Sequence, residues 1–85
     1  MFTGAQLRMA RGYLGWSVRM LANKAGVAES TIKRMESADG TPPARDANIE
    51  AVYKTLCALG IVFIPENGGG PGVRLRKGKS ITRKR

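Results

Sequence analysis

At 85 residues the chain makes one domain, long enough to bury a core and too short to carve a deep substrate pocket as well. Fifteen basic residues against six acids give a formal net charge of +9, which favours a polyanion as partner, nucleic acid first and an anionic membrane surface second. The chain has no His and a single Cys57, so an internal disulfide, a Cys/His metal site and a Ser-His-Asp triad are excluded, and the expectation is of no enzyme, no cofactor and no metal.

The charge is uneven. Residues 1–70 hold eight basic residues against all six acids, a surplus of two, and the last fifteen residues supply the other seven positive charges. The apolar run Leu59 to Ile64 is far shorter than a membrane span and the N-terminus lacks the apolar region of a signal peptide, so a cytoplasmic protein is expected.

Thr3 followed by Gln6 reads as a capping box, with Phe2 and Leu7 as the staple pair, which predicts a helix from Gly4 with Leu7, Ala10 and Leu14 on one face. Gly15-Trp16-Ser17 breaks it. Ser17 can cap a second helix running to about Ala25, with Trp16 and Leu21 as its staple pair. Gly26-Val27 breaks that helix in turn, since glycine reaches the left-handed backbone of a sharp turn without a Cβ penalty. A third helix is predicted over about 29–37, followed by a loop at Asp39-Gly40-Thr41-Pro42-Pro43. Ile49, Val52, Tyr53, Leu56 and Leu59 then recur at the three-four spacing of an amphipathic helix that Gly60 closes. Beyond it, Ile61 to Ile64 and Val73 to Leu75 are short β-prone runs around a glycine-rich loop, and residues 77–85 form a basic tail. The expected organisation is a helical domain over 1–60, a β-hairpin over 61–76 and a flexible tail over 77–85.

The segment from Trp16 to Glu36, WSVRMLANKAGVAESTIKRME, resembles the helix-turn-helix of the lambda-repressor-like (Cro/repressor, XRE) family. The match places Leu21 and Ala22 inside the first helix of the motif, Gly26 at the turn, Val27 behind it, and Ile32 and Met35 on the buried side of the second helix. Ala22 is small where two helices cross steeply, and Ile32 fills the wedge between them. The resemblance implies a mainly α fold, a four-helix lambda-repressor-like domain with a short C-terminal hairpin and a basic tail. It also implies a prokaryotic or phage-like regulator whose second motif helix enters the DNA major groove.

Carried onto this sequence, the family pattern makes Glu29, Ser30, Lys33 and Arg34 the base-contacting candidates and Ser17, Arg19, Ser37 and Arg45 the phosphate-contacting ones. Arg pairs with guanine and Glu accepts from cytosine N4, which implies a G·C-containing half-site. Arg11 and Glu36 stand where the family often places an ion pair between its first and third helices. Two positions depart from the pattern: Val18 replaces a phosphate-contacting Gln, and Ala28 replaces a capping Ser or Thr, at a cost of roughly 1 kcal/mol in helix stability.

Other signals carry less. Gly72 to Ser80 imitates a phosphate-binding loop with one residue too many between its glycines and no helix pattern behind it. Cys57 beside an apolar helix face is a packing residue. The leading expectation is a repressor or autorepressor that binds a double-stranded operator as a homodimer and blocks or contacts RNA polymerase. Ile61, Val62, Phe63, Ile64, Val73 and Leu75 are its expected interface, since a lone two-stranded hairpin gains from pairing with a second chain. The alternative is an antitoxin or adaptor that holds a toxin-like protein and autoregulates. An RNA or ribosome binder draws only on the tail.

Overall fold

In the computed structural model, which describes residues 1–76, the elements in order are α1 (Gly4–Leu14), α2 (Val18–Ala25), α3 (Glu29–Glu36), α4 (Asp46–Ala58), β1 (Ile61–Ile64) and β2 (Gly72–Leu75). The fold class is the expected one, four helices with a short antiparallel hairpin at the C-terminal end. The expected tail at 77–85 lies outside the described residues.

The first two helices start from side-chain caps. At α1 the capping box is complete: Thr3 Oγ1 accepts from the Gln6 amide at 3.1 Å, and Gln6 Oε1 accepts from the Thr3 amide at 2.8 Å. At α2, Ser17 Oγ accepts from the Met20 amide at 3.0 Å. The turn into α3 goes through Gly26 at φ 72°, and the amides of both Gly26 and Val27 bond the Ala22 carbonyl. Neither α3 nor α4 has a side-chain cap, because Ala28 and Arg45 occupy those positions. The third helix ends at Glu36, one residue short of expectation, with Ser37 as its C-terminal cap.

All four helices feed one core, in which Leu7, Leu14, Leu21, Ile32, Met35, Val52 and Leu56 are fully buried. Removing each such side chain from water stabilises the fold by about 1.5–3 kcal/mol. Gly4 permits the closest approach in the fold. Its amide bonds the Gly40 carbonyl at 2.8 Å, and a Cβ there would lie under 3.0 Å from the carbonyl oxygens of Met35 and Ala38. The first turn of α1 thus sits directly on the backbone leaving α3. Arg8 reinforces this seat through Asp39 and the Glu36 carbonyl.

The hairpin pairs Ile61 with Leu75, Val62 with Arg74, Phe63 with Val73 and Ile64 with Gly72. Side chains alternate across a strand, so residues 61 and 63 share a face with their partners at 75 and 73. That face turns inward. Ile61 is buried, Val73 packs on the core, and the Phe63 ring stacks on Phe2 at 5.2 Å and on Tyr53 at 5.7 Å. Of the six residues expected at a dimer interface, Ile61, Phe63 and Val73 pack in the chain's own core, Leu75 is half-buried on the same inward face, and Val62 and Ile64 are half-buried on the opposite one. The physical reason is apolar cover: Phe2 and Tyr53 offer the hairpin a partner within the same chain.

Gln6 joins the first turn of α1 to both strands of the hairpin. Besides closing the capping box, it donates from Nε2 to the carbonyls of Ile64 at 2.7 Å and Gly72 at 2.8 Å, while its residue is only 3% exposed. Every hydrogen-bonding atom of its amide is used, as burial of such a group demands.

Candidate nucleic-acid interface

With Ile32 and Met35 fully buried, α3 presents Ser30, Lys33, Arg34 and the capping Ser37 to solvent, with Glu29 and Thr31 half-buried beside them. A helical period of 3.6 residues makes this split unavoidable: residues 32 and 35 fix one face inward, and 30, 33, 34 and 37 fall on the other. Among the described residues neither Lys33 nor Arg34 pairs with an acid, so both cations stand free for an anionic or base-edge partner.

The ion pair between α1 and α3 holds that helix in place. Arg11 Nε bonds Glu36 Oε2 at 2.7 Å and a terminal nitrogen bonds Oε1 at 2.9 Å, while the other terminal nitrogen reaches the Trp16 carbonyl at 3.0 Å. Glu36 is 9% exposed and Arg11 27%. The hydrogen bonds to Glu36 push the guanidinium above its ordinary range, against an opposing effect of desolvation. A charge-assisted fork of this kind fixes orientation as well as distance, so α3 cannot roll about its axis without breaking it.

Four further residues flank the helix. Ser17, at the N-cap of α2, accepts from Met20 and keeps its hydroxyl proton for another partner. Arg19, on the first turn of α2, bonds Glu29 on the first turn of α3 at 3.2 Å, an exposed contact that links the front ends of the two helices. Ser37 donates back to the Arg34 carbonyl at 2.6 Å. Arg45 stands exposed at the start of α4, where it shares an open cleft of about 360 Å³ with Arg34, Thr31 and Asn48.

Five of the candidates lie at helix N-termini, whereas Lys33, Arg34 and Ser37 lie at the C-terminal end of α3. Ser17 and Arg19 lie at α2, Glu29 and Ser30 at α3, and Arg45 at α4, next to Arg34. The uncapped amides at α3 and α4 add positive potential there, the arrangement that suits anionic oxygens. Sequence reading had not picked out Thr31 or Asn48 for this surface. Thr31 was hidden in the family motif, and Asn48 follows a helix start that no capping residue announces. Among the described residues no group of His, Cys, Asp and Glu could hold a metal ion, and no helix is long and apolar enough to cross a membrane.

A helix that exposes Lys33 and Arg34, set on the far side of a tight glycine turn from its partner helix, defines a helix-turn-helix, a DNA-binding architecture. The family model of the helix-turn-helix domain matches residues 4–58, from the first residue of α1 to the last of α4, and the chain belongs to that family, in its Cro/XRE-like form. The hairpin lies beyond the match. Comparison with curated proteins gives no match.

Proposed function

We propose that the chain is a sequence-specific transcriptional regulator, a repressor or autorepressor that reads operator DNA with α3. The observation that supports this best is the clean division of α3, with Ile32 and Met35 fully buried and unpaired Lys33 and Arg34 outside. In this reading Glu29, Ser30, Lys33 and Arg34 contact base edges. Ser17, Arg19 and Arg45 hold phosphates, Ser37 joins them by turning its hydroxyl away from the Arg34 carbonyl, and the cleft between Arg34 and Arg45 straddles the groove edge. The chemistry is recognition alone, with no bond made or broken, and a bound repressor acts by occupying ground that RNA polymerase needs.

One such helix spans only a few base pairs, so the reading includes a homodimer on two half-sites about 10 base pairs apart. Val62 and Ile64, on the hairpin face turned away from the core, are the surface for it. The same surface would serve a toxin-like partner if the chain were an antitoxin, and a toxin-like gene in the same operon would favour that reading.

The test is selection of bound sequences from a randomised duplex library, followed by binding of Arg34→Ala to the selected site and to scrambled DNA. Arg34→Ala should lose about 1–3 kcal/mol on the selected site and almost nothing on scrambled DNA, since a base contact carries sequence preference and a phosphate contact does not. Equal losses on both would remove Arg34 from the base-reading set.

A further inference from the structure

We propose that Arg19 is a positioning residue for base reading, which holds Glu29 as the acceptor for a cytosine amino group and itself reaches a backbone phosphate. The inference rests on the DNA-reading function above and deepens it. Glu29 is the one acid on the outward side of α3, since Glu36 is committed to Arg11. A bare carboxylate at the leading end of a DNA-reading helix is a liability. It approaches a polyanion, and most major-groove positions (guanine O6 and N7, adenine N7, thymine O4) are themselves acceptors that repel it.

Arg19 changes that balance. Its Nε lies 3.2 Å from Glu29 Oε2, so the two enter the groove as a neutral unit. Because only those two atoms are engaged, Glu29 Oε1 and both terminal nitrogens of Arg19 have no partner among the described residues. The Arg19 side chain is 78% exposed and the Glu29 side chain 44%, so one face of the pair is open on each side. The open acceptor belongs to the first turn of α3 and the open donors to the first turn of α2, where Ser17 and Arg19 line the same shallow pocket. A chain of contacts from phosphate to Arg19 to Glu29 to base follows. The carboxylate favours cytosine over adenine, because adenine places the N7 acceptor next to its amino group and cytosine places none next to N4. The pair gains strength on docking, as water leaves and the local dielectric falls.

The test is selection from a randomised duplex library with the full chain, comparing the base preferences of wild type, Glu29→Gln, Arg19→Ala and the double variant. Wild type should show one position per half-site that prefers cytosine. Glu29→Gln should lower that preference about tenfold and move it toward adenine, whose N6 and N7 a glutamine amide matches. Arg19→Ala should relax the same position at least about fivefold while leaving the Arg34 position unchanged. Added to Glu29→Gln, Arg19→Ala should alter overall affinity and no single position. A wild type that selects clear sites, with the cytosine preference intact in Arg19→Ala, overturns the coupling and leaves the proposed function standing. A wild type that selects no sequence overturns the proposed function, and this inference with it.

Discussion

Replacing Arg11 by Met tests whether α3 is held in its reading position by the fork to Glu36. The variant keeps the apolar stem of the side chain and removes three hydrogen bonds, two to the carboxylate and one to the Trp16 carbonyl. The larger effect is on what stays behind, a Glu36 carboxylate 9% exposed with no counter-charge. Orphaning one partner of a fully buried pair costs about 3–5 kcal/mol. Arg11 keeps 27% exposure, so water can reach part of the site, and a cost of about 2–3 kcal/mol is the better expectation. In a domain of this size that lowers the melting temperature by about 10–20 °C. Arg11→Met with Glu36→Leu should recover to within about 1 kcal/mol of wild type, because the orphaned charge is gone. Urea unfolding followed by far-UV circular dichroism of wild type, both single variants and the double variant gives the four stabilities of the cycle. If Arg11→Met costs under about 0.5 kcal/mol, or if the two single costs simply add, the fork does not hold α3.

Gly4→Ala should destabilise by at least about 2 kcal/mol in the same assay, because the new methyl meets the fixed carbonyls of Met35 and Ala38; an unchanged midpoint would mean the first turn of α1 is free to lift off. Gln6→Leu should cost about 2 kcal/mol and speed amide exchange in residues 61–64 and 72–75 more than in α2 or α3; uniform exchange would deny Gln6 its role as the hairpin latch. Deleting residues 77–85 removes Lys77, Lys79, Arg83, Lys84 and Arg85. The slope of log affinity against log salt should then fall by up to about 4, with sequence preference retained; an unchanged slope assigns those charges to something other than DNA.

The helical part of the fold was legible because its signals are local. Thr3 with Gln6, Ser17, and Gly26 each announce a boundary within four residues, and the structure uses all three. The start of α4 was not legible, for the opposite reason: Arg45 is no capping residue, and the helix is held by Val52 and Leu56 in the core rather than by its end. The outward set on α3 could be read once Ile32 and Met35 were assigned inward. The contacts of Arg8, of Arg19 with Glu29, and of Gln6 with the hairpin could not, since each joins residues from 10 to 66 positions apart without a spacing rule to reveal it. The hairpin strands were visible in their β-branched residues. Which face they turn inward depended on Phe2 and Tyr53, and no periodicity within the strands encodes that.

The Gln6 latch also imposes an order on biosynthesis. The residues it grips lie 58 and 66 positions downstream, so during translation the first helix is made long before the carbonyls that secure its opening turn. At about 5–20 residues per second that interval is some 3–13 seconds, in which α1 to α4 can collect their core while the amide of Gln6 is still solvated. The second strand of the hairpin is thus made well after the turn of α1 that it seals. A chain released before Gly72 would hold all four helices without that closure, which makes such truncated products the species to watch for proteolysis.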